Sequence, residues 1–155
     1  MLKTHRILLA SHGTPGAMAA VQISISMCTE GSELHHLVVV PDLWQGMTGD
    51  DWLNNGSTRD RYRRYLETEL GKEIDEHCLT VQQQSEQQGI HYHRDIQLGK
   101  PDQCLIDYSK QQAFDLVVIG SPRPKGVPGL RSRMNTETLV KKLGIHLLIV
   151  PFPDD

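Results

Sequence analysis

The sequence predicts an α/β protein: a single doubly wound domain, with helices on both faces of a five-stranded parallel sheet. Three observations carry that prediction. Short unbroken apolar runs, such as Val38-Val39-Val40 and Leu116-Val117-Val118-Ile119, have the character of strands covered on both faces. Between them lie longer stretches whose apolar residues recur every three or four positions, the period of an amphipathic helix. Glycine or proline punctuates nearly every junction, and the order reads β-α-β-loop-α-β-α-β-α-β.

The elements follow in order. Arg6 to Ala10 is a strand, and Ser11 to Gly16 is a turn into a helix, with Thr14 as cap and Pro15 at the first helical position, where its missing N–H costs nothing. Ala17, Ala20, Val21, Ser24, Ile25 and Cys28 form one small or apolar stripe on that helix, which Gly31 closes. Leu34 to Val40 is the second strand, stopped by Pro41. Residues 41–57, with both tryptophans and three glycines, show no period and read as an irregular loop or lid. A long helix opens at Ser57-Thr58 and keeps its beat through Leu66, Leu70, Ile74, Cys78 and Val81 to Gly89. His91 to Leu98 alternates weakly, as an edge strand does. Gly99-Lys100-Pro101 starts a helix with Cys104, Leu105 and Tyr108 inward. Asp115 to Gly120 is a strand, residues 132–143 a helix, and His146 to Val150 the last strand.

Composition excludes several classes. One domain, 1–155, fits the length, and a formal net charge of −3 gives no bulk electrostatic reason to expect nucleic acid as a partner. No apolar run approaches the about 20 residues that span a bilayer, so no membrane association is expected. The N-terminal apolar stretch is too short for a signal peptide, and a cytoplasmic setting is expected. Cys28, Cys78 and Cys104 are odd in number, widely spaced and without a CxxC pair. They read as buried thiols of a reducing compartment, not as a disulfide frame or zinc site.

The tail, DLVVIGSPRPKGVPGLRSRMNTETLVKKLGIHLLIVP from 115 to 151, resembles the C-terminal signature of the universal stress protein family. The resemblance extends to RILLASHGT at the start, to LHHLVVV, and to the strand–GKP–helix unit near 99. It implies a sheet in the order 3-2-1-4-5, a homodimer formed through the last strand, 146–150, and in some members a bound adenine nucleotide such as ATP. In the nucleotide-binding members a glycine, two residues, a second glycine, nine residues, a third glycine and a hydroxyl residue cradle the phosphates, because glycine lets backbone amides approach them. Here the pattern begins at Gly120 and then departs. Arg123 and Arg133 take the second and third glycine positions, Met134 takes the hydroxyl position, and His12 stands where an acidic residue follows the first strand. Thr136 supplies a hydroxyl two residues later.

Arg123, Lys125, Arg131 and Arg133 gather four cations in the loop before a helix. Arginine forks suit phosphate or carboxylate, which makes an anion site one reading. A solvated loop balanced by neighbouring acids is the plainer reading and carries more weight; arginines filling the phosphate space outright are a third. Any ligand of a doubly wound fold belongs at the carboxyl ends of the strands where winding reverses. The candidate binding set is therefore Ala10, Ser11, His12, Val40, Gly120, Ser121, Arg123, Arg133, Asn135 and Thr136, with a nucleotide or other phosphate-bearing small molecule as ligand.

Other signals have plainer explanations. His91 and His93 share one face of a strand, but no third ligand stands at useful spacing, and His35 and His36 point to opposite faces; no metal site is expected. Asp50-Asp51 beside Trp52 has the carboxylates magnesium favours, but a turn and helix-cap element is the preferred reading. Arg59, Arg61, Arg63 and Arg64 crowd a helix start, where acidic neighbours or a partner must compensate them. No nucleophile, base and orienting group assemble, and GxSxG, GxxxxGK[ST] and HExxH are all missing from the chain. The leading expectation is a non-catalytic regulatory or ligand-sensing domain. The rivals are a slow ATP hydrolase using Asp50 or Asp51, and an interaction module with a plugged pocket that binds through Trp44 or Trp52.

Overall fold

The computed structural model describes residues 5–10, 15–41, 69–121 and 135–151. Their elements are β1 (Arg6–Ala10), α1 (Pro15–Met27), β2 (Glu33–Pro41), α2 (Glu69–Gln87), β3 (His91–Gly99), α3 (Pro101–Ser109), β4 (Leu116–Gly120), α4 (Thr136–Lys142) and β5 (Leu147–Val150). All pairings are parallel, and the sheet runs β3-β2-β1-β4-β5. The chain therefore winds outward from β1 to β3, crosses back to β4 on the other side of β1, and continues to β5.

Alternation along the central strands builds a core on each face of the sheet. Ile7, Leu9, Leu116 and Val118 meet Ala20, Val21 and Ile25 of α1 and Val81 of α2. Leu8, Ala10, Val117 and Ile119 meet Leu105, Ile106 and Tyr108 of α3, Leu139 of α4, and Phe114 and Leu143. Both faces of β1 and β4 are buried, which is why their sequences are unbroken apolar runs. The stripe on α1 is seated as its period implies, with Ser24 as buried as its apolar neighbours because its hydroxyl donates to the Ala20 carbonyl at 2.8 Å.

The element boundaries differ from the sequence expectation by small steps. β2 runs on through Pro41, because Pro41 sits at the last register position opposite Gly99. β5 starts at Leu147; His146 precedes it and uses its carbonyl to accept from Val117 N–H at 2.9 Å. α4 is described from Thr136. The loop at 42–57, the helix start at 57–68, the Thr14 cap and the basic loop all lie outside the described residues. The thiols are less uniformly buried than expected: Cys78 is buried, whereas Cys28 and Cys104 are half-buried, and none is in a disulfide. No described helix is long and apolar enough to cross a membrane.

Gly31 and Gly89 close α1 and α2 in the left-handed region, at φ 88° and 74°. The Gly31 N–H donates to the Gly89 carbonyl at 2.9 Å, so the two helix ends are tied together just before β2 and β3 begin.

Candidate functional site

The direction of winding reverses between β1 and β4, and the carboxyl ends of these strands form the crevice where such folds hold ligands. Ala10 pairs with Ile119, and Gly120 follows at the strand end opposite Val150. Ser121 N–H donates to the Val150 carbonyl at 2.7 Å, which extends the β4–β5 ladder one residue beyond the strand. Both residues lining the reversal are small, so the backbone there is open to close approach.

Across the crevice, Asn135 caps α4 in an extended conformation, its side chain accepting from Thr138 N–H at 3.2 Å. Leu139, one turn on, is fully buried in the same core cluster as Ala10, Ile119 and Leu143, and α4 packs on α3. Of the predicted set, the structure brings Ala10, Gly120, Ser121, Asn135 and Thr136 to this one end of the sheet. Val40 lies at the same end of β2, in register with Leu98. Ser11, His12, Arg123 and Arg133 lie outside the described residues, as do Lys125, Arg131 and Met134. The oxygen of Asn135 serves as the α4 helix cap.

A second polar grouping lies at the opposite, amino end of the sheet, about 20 Å from Val40 at the usual rise of a strand. The β2–β3 register sets Glu33 against His91 and His35 against His93, four side chains on one face. His35 Nε2 lies 3.2 Å from Glu33 Oε1, and His93 Nε2 lies 3.6 Å from the same oxygen. The two imidazoles stack at 4.6 Å with 19° between their planes, and Phe114 meets His35 edge-on at 5.1 Å. The other carboxylate oxygen, Glu33 Oε2, accepts from Arg6 Nη2 at 2.8 Å and Arg6 Nε at 3.2 Å. That guanidinium holds the Glu33 carboxyl below its usual range, with the His35 bond adding to the effect. The pKa of His35 is depressed as well, but by burial, and there the neutral ring is favoured, against the pull of Glu33.

The sequence reading missed this grouping because Glu33 and His93 are far apart along the chain. Only the β2–β3 register brings them together, and period-two alternation within one strand cannot supply it. On the other face of the same strands, His36 Nδ1 shares a 2.7 Å hydrogen bond with Tyr92 Oη, and His77 of α2 meets the His36 ring edge-on. His35 and His36 do point to opposite faces.

Comparison with known proteins settles the family. The model of the universal stress protein family matches residues 3–151. The chain belongs to that family. Among solved structures, the hypothetical protein MJ0577 is similar at 16% identity and a TM-score of 0.72, over 98% of this chain and 99% of that one. A universal stress protein family protein from Arabidopsis thaliana with AMP bound is 12% identical, with a TM-score of 0.65 over 97% and 93% of the two chains. Universal stress protein UspA from Lactobacillus plantarum is 19% identical, with a TM-score of 0.62 over 96% and 98%. At such identities the likeness establishes the fold. No curated protein sequence is significantly similar to this universal stress protein.

Proposed function

We propose that this universal stress protein is a non-catalytic, ligand-sensing regulatory domain that takes an adenine nucleotide at the carboxyl ends of β1 and β4. The observation that carries the reading is the reversal of winding between those strands, with the small residues Ala10 and Gly120 at their carboxyl ends. A relative of the same fold is known with AMP bound, which makes adenine nucleotides the first ligands to try. The departures at Arg123 and Arg133 make the phosphate grip of this chain one of side chains in place of glycine amides.

The domain works as a homodimer through β5, in a cytoplasmic setting. β5 is an edge strand with Ile149 38% exposed, and an uncovered apolar edge invites pairing.

The test is to denature the purified protein and identify released small molecules by mass spectrometry, then follow thermal unfolding with ATP, ADP and AMP. A ligand at 100 times its Kd stabilises the fold by about 2.7 kcal/mol, a shift of several degrees for a domain of this size. The expected result is a nucleotide-dependent shift that shrinks in the R123A/R133A double variant. An empty protein that none of the three nucleotides stabilises would overturn the reading and favour a plugged pocket.

A further inference from the structure

We propose that Glu33, His35 and His93 form a binding site for a borderline-soft divalent transition ion, with Zn²⁺ as its representative, clipping the edge strand β3 to β2. The three side chains offer ligand atoms that all lie within 4.8 Å of one another, the one such grouping among the described residues. A tetrahedral zinc ion with bonds near 2.0–2.1 Å holds its donors about 3.4 Å apart. The 3.2 and 3.6 Å separations of Glu33 Oε1 from the two imidazole nitrogens are already close to that spacing. Two imidazoles and one carboxylate are a donor set that suits zinc, whereas magnesium and calcium favour oxygen alone.

The scaffold supports the same reading. Glu33 divides its oxygens, Oε2 to Arg6 and Oε1 toward the two imidazoles, so the carboxylate is oriented before any ion arrives. Asp115 in turn accepts from the backbone N–H groups of His5 and Arg6 at 3.0 Å each, fixing the start of β1 beside them. His35 is buried at 4% exposure, and its Nε2, the nitrogen the site uses, faces Glu33 Oε1 at 3.2 Å. His93 is half-exposed on the edge strand, which gives an ion a route in and leaves a fourth position for water. His91, exposed, is the register partner of Glu33 on the same face. The Arg6 guanidinium opposes a cation, which makes this a site of moderate affinity.

The site lies at the opposite end of the sheet from the nucleotide crevice, and its test needs no nucleotide. The full chain, stripped with EDTA, is titrated with Zn²⁺ in competition with a chromophoric chelator. One equivalent per chain is expected, with affinity falling at least tenfold in both H93A and E33Q and unchanged in H146A. His93 is exposed, so its variant folds, and His35 is left intact to protect the core. Ring-nitrogen NMR supplies a second readout: zinc moves the Nε2 resonances of His35 and His93. No uptake by the wild type, uptake that survives H93A and E33Q, or unmoved His35 and His93 resonances would overturn the proposal.

Discussion

His35 and His93 are register partners in the parallel β2–β3 pairing, and their rings stack 4.6 Å apart although one is buried and the other exposed. The pair spans the boundary between core and solvent. Truncating its two members therefore has unequal costs. His35→Ala removes a ring packed on Phe114 and bonded to Glu33, and should destabilise the fold by about 2–3 kcal/mol in urea unfolding of metal-free protein. His93→Ala removes an exposed ring and should cost under about 1 kcal/mol. Equal losses in the two variants would mean that burial does not separate their contributions.

Legibility from sequence followed the range of the interactions. β1 and β4 are buried on both faces and so announce themselves as apolar runs; α1 buries one stripe and shows it at helical spacing. The weak alternation of His91 to Leu98 marked β3 as an edge strand, which it is. What the sequence left dark is pairing across strands. Nothing in the local pattern around Glu33 points to His93, because their proximity depends on which strand β3 adopts as neighbour and in what register. The same limit applies to the crevice: Ala10 and Gly120 were placed together by the fold rule that locates ligands where winding reverses, not by any motif that ran to completion.

Gly89 is held by two constraints that can be separated. Its φ of 74° disfavours any side chain, and a Cβ there would sit 2.8 Å from Cγ of Glu30. Gly89→Ala should cost about 1–2 kcal/mol from the backbone alone. Glu30 is exposed and flexible, so adding Glu30→Ala to the variant should recover little of that loss. Chemical denaturation of the single and double variants decides it. Full recovery in the double variant would place the cost in the side-chain contact.

Cys28, just beyond α1, has its thiol pKa pushed up by burial to about 11, from 9.0. The folded chain keeps this proton over a range where the unfolded chain loses it. The resulting stabilisation is complete below pH 9, and is lost as pH rises from about 9 through about 11. At pH 8 the thiolate fraction should be about a hundredfold below that of an ordinary cysteine, since each pKa unit is a factor of ten. Site-resolved alkylation with iodoacetamide should find Cys28 correspondingly slow in the native protein and ordinary in urea. Native labelling at the unfolded rate would show that burial does not protect the thiol.

The exposed side of β5 offers the sharpest test of assembly. Val150 is buried within the core on the face of α1, while Ile149, one residue earlier, is 38% exposed. A charge at 149 therefore disturbs an apolar surface without entering the core on that face. If two copies associate along β5, Ile149→Glu places two carboxylates near the dyad and should shift sedimentation from dimer to monomer. Its thermal midpoint, once both proteins are compared as monomers at high dilution, should move by no more than the few degrees of an ordinary surface substitution. Leu79, 48% exposed on α2 and remote from β5, is the control: Leu79→Glu should leave the dimer intact. A wild-type protein that sediments as a monomer, or an Ile149→Glu variant that remains dimeric, would remove β5 from the interface.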